Sequence, residues 1–521
     1  MSQNQNLDAT WQYHSGTKHS YVGLRTNPHS LDWKNKPLLF KIYPTLEVTR
    51  LPRDFRETSV PALSAIAAAQ PSSQEEAIPD LETLAQLLFF SAGVTRSKKF
   101  EQGEMFFRAA ACTGALYEIE LYVVCADLKS ANSPPLSAGV YHFGAAEFGL
   151  RQLRSGDFRQ VVVEATANHP AVGHAPVIII CSGTYWRNAW KYRSRTYRHF
   201  GWDNGTILAN LLAVANSLKL PASIVAGFID SQVNGLLSLD TNREVAFSLI
   251  PIGYQDSTPP SAAPEISPLD LPTVPYSSEE VDYPAMRRMH EASSLDSAEE
   301  VGAWRGKTPL QKMPDPKVSA RRLQLPDDSK VPKDTIEKVI SRRGSSRLFV
   351  RDPITQPQLS LILDRATRGI PADFLDPFGS HLNDLYLILN HVVGLEPGAY
   401  VYHWDKRSLE LLKPGEFRDK AGYLGLEQQL PADAAVDVFF LADLKKIAER
   451  YGNRGYRAVQ LESGILGGKL YLAAYAQGLG ASGLTFYDDD VVSFFSPHAR
   501  GKSAIFMVAL GRSALRQSAT P

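Results

Sequence analysis

The stretches Arg195-Thr196-Tyr197-Arg198 and Arg454-Gly455-Tyr456-Arg457 decide the architecture, because they are one motif met twice, 259 residues apart. The same offset relates Gly156-Asp157-Phe158-Arg159 to Gly415-Glu416-Phe417-Arg418, Val177 to Val436, Ala222-Ser223 to Ala481-Ser482 and Asp230 to Asp489. Chance similarity does not keep register across so many short matches, so the chain reads as two copies of one domain. Two copies, with no repeat period of roughly 20–50 residues, make a pseudo-dimer and not a solenoid.

The 521 residues exceed what one hydrophobic core usually serves, in keeping with two domains. Lys and Arg total 55, as do Asp and Glu, which argues against nucleic acid or an anionic membrane as a bulk partner. Cys112, Cys125 and Cys181 fit neither a disulfide framework nor a Cys-rich metal site, and suit the reducing cytoplasm. The chain starts without a signal-peptide pattern, and no apolar run approaches the roughly 18 residues of a membrane span, so a soluble, unexported protein is expected. The 12 His residues lack ligand-like spacing, and no metal is assigned.

Residues 256–333 are rich in Pro, Ser and charge, with Pro259-Pro260, Pro264, Pro268, Pro272 and Pro275 close together. Such a composition buries little apolar surface and predicts a linker between domains at 1–255 and 334–521. Inside it, Asp296-Ser297-Ala298-Glu299-Glu300 resembles a capping box and predicts a short helix at 295–304.

Each copy reads as α+β. Short runs rich in Val, Ile, Leu and aromatics predict strands at 120–125, 176–182, 245–252, 435–441 and 503–510. Asp80 caps a helix carrying Leu81, Leu84, Leu87 and Leu88. Thr355, with Gln358 at the capping-box position, caps its counterpart, which carries Leu359, Ile362 and Leu363. A second helix pair is expected at 205–218 and 464–477, after the Arg-x-Tyr-Arg motifs. Asp488-Asp489-Asp490 reads as a helix start and solvated turn.

Function is sought where the copies diverge. Copy two holds Ser341-Arg342-Arg343-Gly344-Ser345-Ser346-Arg347, whose counterpart in copy one, Ala67-Ala68-Ala69-Gln70-Pro71-Ser72, has no basic residue. Arg343, Ser345 and Arg347 together offer charge-assisted donors and a hydroxyl to a phosphate; a solvated basic turn is the plainer alternative. Copy one instead holds the small-residue run Ala109-Ala110-Ala111-Cys112-Thr113-Gly114, which permits close backbone approach to a flat ligand or forms an ordinary tight loop. It also holds Trp190-Lys191-Tyr192, opposite Glu449-Arg450-Tyr451. A Lys beside a Tyr is either a surface dipeptide or a proton donor and acceptor pair.

Taken in order, Tyr13-His14, Thr17-Lys18-His19, Gly93-Val94-Thr95-Arg96, Arg108-Ala109-Ala110, Leu116-Tyr117, Ala189-Trp190-Lys191-Tyr192 and the run from Gly478 to Asp490 resemble the flavin-dependent nitroreductase superfamily. The closer resemblance is to its SagB-type branch of thiazoline/oxazoline dehydrogenases. It implies two nitroreductase-like domains in tandem, an intrachain pseudo-dimer binding FMN between the copies. Arg343, Ser345 and Arg347, with Arg342 beside them, match the phosphate motif. Ala111, Cys112, Thr113 and Gly114 match the loop against the flavin, with Cys112 where the family has Ser. Leu484-Thr485 match the segment facing flavin N5 and O4, Thr485 standing where Gly is frequent, and Arg512 matches a carboxy-terminal basic residue near the phosphate. Lys191 and Tyr192 match the catalytic pair of azoline dehydrogenases. The implied reaction removes two hydrogens from a thiazoline or oxazoline on a peptide or carrier, in a biosynthetic cyclisation complex, with dioxygen as electron acceptor. An NAD(P)H-dependent nitro, quinone or ene reductase and a non-catalytic flavin-binding scaffold are the other readings. The pseudo-dimer works alone or as a higher homo-oligomer.

Overall fold

The computed structural model describes residues 3–67, 75–100, 103–259, 262–305 and 313–514. It shows two α+β copies built on matching antiparallel sheets. In space, the first sheet runs Thr49–Arg50, Gly149–Ser155, Gly139–Gly144, Ile119–Cys125, Val177–Thr184, Glu244–Ile252. The second runs Arg321–Arg322, Ser408–Pro414, Gly398–His403, Asp384–Leu389, Val436–Ala442, Ser503–Ser513. Phe349–Val350 and Gly480–Leu484 pair with the last strand of the second sheet. The expected strands all form, because their runs are buried along their whole length.

Asp80 caps helix Leu81–Ala92 through the Thr83 amide, and Thr355 closes a full capping box on Gln356–Ala366. The second helix pair is longer than expected, Thr196–Ser217 and Arg454–Ala476, so the Arg-x-Tyr-Arg motifs lie at the helix starts rather than before them. These two helices cross backbone to backbone. A Cβ on Gly205 would lie 2.5 Å from Gly464, one on Gly464 2.5 Å from Trp202, and one on Gly201 2.4 Å from Gln460. Only glycine admits so close an approach.

Next to this crossing, each copy's arginines close on the other copy's aspartate. Arg195 and Arg198 reach Asp488 at 3.0 and 2.7 Å, and Arg454 and Arg457 reach Asp230 at 2.5 and 2.6 Å, all fully buried. The true counterpart of Asp230 is therefore Asp488 and not Asp489, because copy one has one extra residue between Val225 and Asp230. Asp488 begins helix Asp488–Phe495 as expected but is a buried ligand of arginines and not part of a solvated turn; Asp489 is exposed and pairs with Lys18, and Asp490 is half-buried.

The segment 256–333 is not the free tether its composition suggests. Helix Ala298–Trp304 forms, capped by Ser297, and an unforeseen helix Pro284–Ala292 precedes it. Tyr276, Met286, Met289, Leu295, Val301 and Trp304 are buried. This segment carries the second copy of the amino-terminal helix Asp8–Gly16. The His14 carbonyl and Thr17 hydroxyl accept from Arg198, as the His290 carbonyl and Ser293 hydroxyl accept from Arg457. The His19 amide donates to Asp488 as the Leu295 amide donates to Asp230. The repeat thus begins well before residue 334. Among the described residues, no helix is long and apolar enough to cross a membrane.

Burial alone would push the Asp230 carboxyl up, but Arg454 and Arg457 outweigh it and hold it down at about 2. Its stabilising contribution is therefore complete above its unfolded value of 3.8 and is lost as pH falls toward 2. Asp230→Ala leaves two guanidiniums buried and unpaired, and the expected loss is about 3–5 kcal/mol in urea unfolding at pH 7. A loss under about 1 kcal/mol, typical of surface pairs, would show the clasp to be incidental.

Candidate functional site

Copy one brings a loop with little side-chain bulk to the seam. The run after Arg108 is fastened from one face of helix Thr196–Ser217. Asn210 donates to the Ala109 carbonyl at 3.0 Å and Thr206 to the Ala111 carbonyl at 2.6 Å. Asp203 accepts from the Thr113 amide at 2.9 Å and from its hydroxyl at 2.8 Å. Gly114 has φ +66°, and a Cβ there would stand 2.9 Å from the Tyr192 hydroxyl, so the tyrosine rests directly on the loop. Cys112 Sγ lies 3.3 Å from Asp203 and 3.4 Å from Glu118. Burial pushes the thiol and both carboxyls up, and the neighbouring Asp203 carboxylate pushes the Cys112 thiol and the Glu118 carboxyl further in the same direction.

Copy two brings the basic turn. The Ser346 amide donates to the Ala481 carbonyl at 2.9 Å, pinning the turn to strand Gly480–Leu484. Arg343 crosses the seam, donating from Nε to Ala109 and from Nη2 to Arg108, both at 2.9 Å to the carbonyl. Ser345 Oγ lies 3.4 Å from the Tyr471 hydroxyl, and Arg347 is exposed. Thr485, just past Leu484, contacts His19 Nδ1 at 3.0 Å through its hydroxyl.

Two expected members point elsewhere. Arg342, the last residue of helix Ile336–Arg342, pairs with Asp334 and donates to the Tyr475 carbonyl at 2.8 Å. Arg512 faces Val350 across the sheet and donates to the Pro353 carbonyl at 3.1 Å. Conversely, the sequence reading missed Asp203, Thr206 and Asn210, although their spacing marks one helix face. His19 entered only as part of the Thr17-Lys18-His19 resemblance, with no role in the site.

The Lys-Tyr pair sits where both halves meet. Lys191 is exposed at the seam, and partial desolvation, then the Arg347 guanidinium, push its ammonium down from its ordinary value. Burial, then Asp203, Cys112 and Glu118, push the Tyr192 hydroxyl up. Tyr192 thus stays a neutral hydroxyl while Lys191 loses its proton more readily. His199 stands edge-on to the Tyr192 ring at 4.7 Å, and Asn188 ties His199 to the Thr113 carbonyl at 2.7 and 3.4 Å. Burial, with Arg195, pushes His19 down to about 3, so it is a neutral imidazole. Arginines and a serine on one side and a loop poor in side chains on the other suit a phosphate and a flat ring.

The mirror position between the copies is filled. Trp304, from the supposed linker, stands 5.6 Å from Tyr451, the counterpart of Tyr192, and donates to the Tyr451 carbonyl at 3.0 Å. A Cβ on Gly227, in the stretch matching Thr485, would lie 3.0 Å from the same indole. The Asp373 carboxylate takes the Ala226 and Gly227 amides at 2.9 Å each. Of the stretch opposite the basic turn, Ala67 ends helix Ala62–Ile66, while Ala68 to Ser72 lie outside the described residues.

The model of the nitroreductase family matches this chain twice, at residues 74–254 and 340–512. A protein of Methanocaldococcus jannaschii assigned to the nitroreductases is 28% identical over 178 residues, covering 32% of this chain and 86% of that protein. The trifolitoxin-processing protein TfxB of Rhizobium leguminosarum bv. trifolii is 29% identical over 173 residues, covering 32% of this chain and 45% of that protein. A crystal structure from Anabaena variabilis, also assigned to the nitroreductases, superposes with a TM-score of 0.76 at 26% identity, covering 97% of this chain and 99% of that one.

Gly114→Ala places a methyl group against the Tyr192 hydroxyl in left-handed backbone, which should cost about 1–3 kcal/mol. Thermal melting of the variant reads this, and an unchanged midpoint would mean that Tyr192 does not rest on the loop.

Proposed function

The chain belongs to the nitroreductase family and is a nitroreductase-fold oxidoreductase; from that premise we propose that it is an FMN-dependent dehydrogenase oxidising thiazoline or oxazoline rings of a peptide or carrier-bound precursor to azoles. The observation that carries this reading is that Tyr192 rests on the side-chain-poor loop of copy one, with Lys191 Nζ 5.3 Å from the centre of its ring and within the influence of Arg347 of copy two. The relative named for trifolitoxin processing supports a role in maturing a natural product.

Arg343, Ser345 and Arg347 would hold the phosphate, and Ala111, Cys112, Thr113, Gly114, Leu484 and Thr485 would flank the ring. FMN, when bound, supplies a two-electron acceptor. Asp203, Thr206 and Asn210 fix the loop so that its backbone keeps one shape. Lys191 takes the proton from the azoline ring carbon, since its ammonium is the destabilised form. Tyr192 keeps its proton and orients the substrate by hydrogen bonding.

Since Lys191 must be neutral to act, turnover should rise with pH through a midpoint below the ordinary lysine value of about 10.4. Arg347→Gln, assayed at saturating FMN, removes a nearby cation and should move that rise to higher pH. Lys191→Ala should keep bound flavin and lose azoline oxidation. Normal oxidation by Lys191→Ala, or rapid NADPH-driven nitro or quinone reduction with no azoline oxidation, would contradict the reading.

A further inference from the structure

The hairpin Val94–Phe100 and Gly103–Arg108 has no role in the site as described, yet its second strand runs straight into the Ala109–Gly114 loop. Among the described residues, Val94–Phe100 pairs with Gly103–Arg108 alone, so its other edge is free to take a strand. Its two faces differ. Phe106 packs on Phe40 at 5.1 Å, so the face of Phe106 is turned to the body of the protein. The opposite face carries Arg96, Lys98, Phe100, Met105 and Phe107, with Phe100 and Met105 exposed. Arg96 lies over the Phe107 ring at 4.4 Å and Lys98 over Phe100 at 5.1 Å. Strand Val94–Phe100 carries Arg96, Lys98 and Lys99 and no acidic residue. At the base of the hairpin the Arg96 charge reaches Arg343, and across the loop the Arg347 charge reaches Lys191. Cations therefore stand both along the free edge and beside the proposed catalytic lysine. Exposed cations in such a row repel one another unless an anion lies along them.

We propose that this hairpin docks an extended acidic segment of the peptide substrate, added as a strand along the free edge of Val94–Phe100, with carboxylates against Arg96 and Lys98, which share one face. The proposal rests on the peptide-substrate reading above and names the kind of peptide. Backbone pairing supplies general affinity, and alternate side chains meet the basic and apolar face. Exposed cations at a free edge also keep that edge from pairing with a second copy of the chain.

The test uses fluorescein-labelled ten-residue peptides of alternating Val with Glu, Gln or Lys, with binding read by anisotropy on the flavin-loaded full chain and no turnover required. The Glu peptide should bind, more weakly as salt is raised, and the Gln and Lys peptides should bind at least about tenfold less tightly. Lys98→Glu, an exposed position on the docking face, should weaken the Glu peptide by at least about tenfold while flavin content stays at the wild-type level. N-methylation of alternate amides in the Glu peptide should abolish binding if it pairs as a strand. Equal binding of the three peptides, undiminished binding by the charge-reversed variant, or full affinity of the N-methylated peptide would each overturn the proposal. Because no oxidation is measured, failure of the azoline reading shows separately, as absent turnover with peptide binding intact.

Discussion

Everything in this molecule depends on the reciprocal buried clasp in which Asp230 of copy one holds Arg454 and Arg457 of copy two, while Asp488 of copy two holds Arg195 and Arg198 of copy one. A buried aspartate is costly without partners, and so are two buried guanidiniums; each copy can bury its own charges only against the other. The glycines of the crossing helices permit the approach, and the clasps fix its register. The seam between the copies is thereby as well defined as either core, so groups from both can meet at fixed distances.

The symmetric frame supports unequal ends. At one end, Arg343 spans to the carbonyls of Arg108 and Ala109, and the loop, the basic turn and Lys191 face one another. At the other, the Trp304 indole lies against Tyr451 and Gly227, and Asp373 occupies the backbone amides of Ala226 and Gly227. Both ends are built from corresponding segments, yet among the described residues the second sets a tryptophan and a carboxylate against the backbone of Ala226 and Gly227. The two cores therefore hold unequal ends on one symmetric frame.

Much of this was legible in the sequence because short motifs kept register. The repeated Arg-x-Tyr-Arg, the caps at Asp80 and Thr355 and the buried strand runs are local features, and local physics writes them plainly. The segment 256–333 was misread because its prolines and charges mask a few apolar residues whose partners lie far away: Met286 and Trp304 bury against elements distant in the chain. Asp488 was misread for the same reason, since nothing beside it announces two arginines nearly three hundred positions upstream. At the candidate site, Arg343, Ser345, Lys191 and Tyr192 were singled out from motif and asymmetry. Arg342 and Arg512 share the motif's charge but point elsewhere, because the orientation of a side chain at a helix end or strand end is set by tertiary neighbours.

The central claim is that one end of the seam is open to a flavin and the other is closed by Trp304 and Asp373. The most direct measurement is the amount of FMN released by denaturing a known quantity of chain reconstituted with excess cofactor and then desalted. The account predicts one FMN for each chain, in wild type and equally in a variant with Trp304→Phe. Two for each chain in wild type, or none, would contradict it.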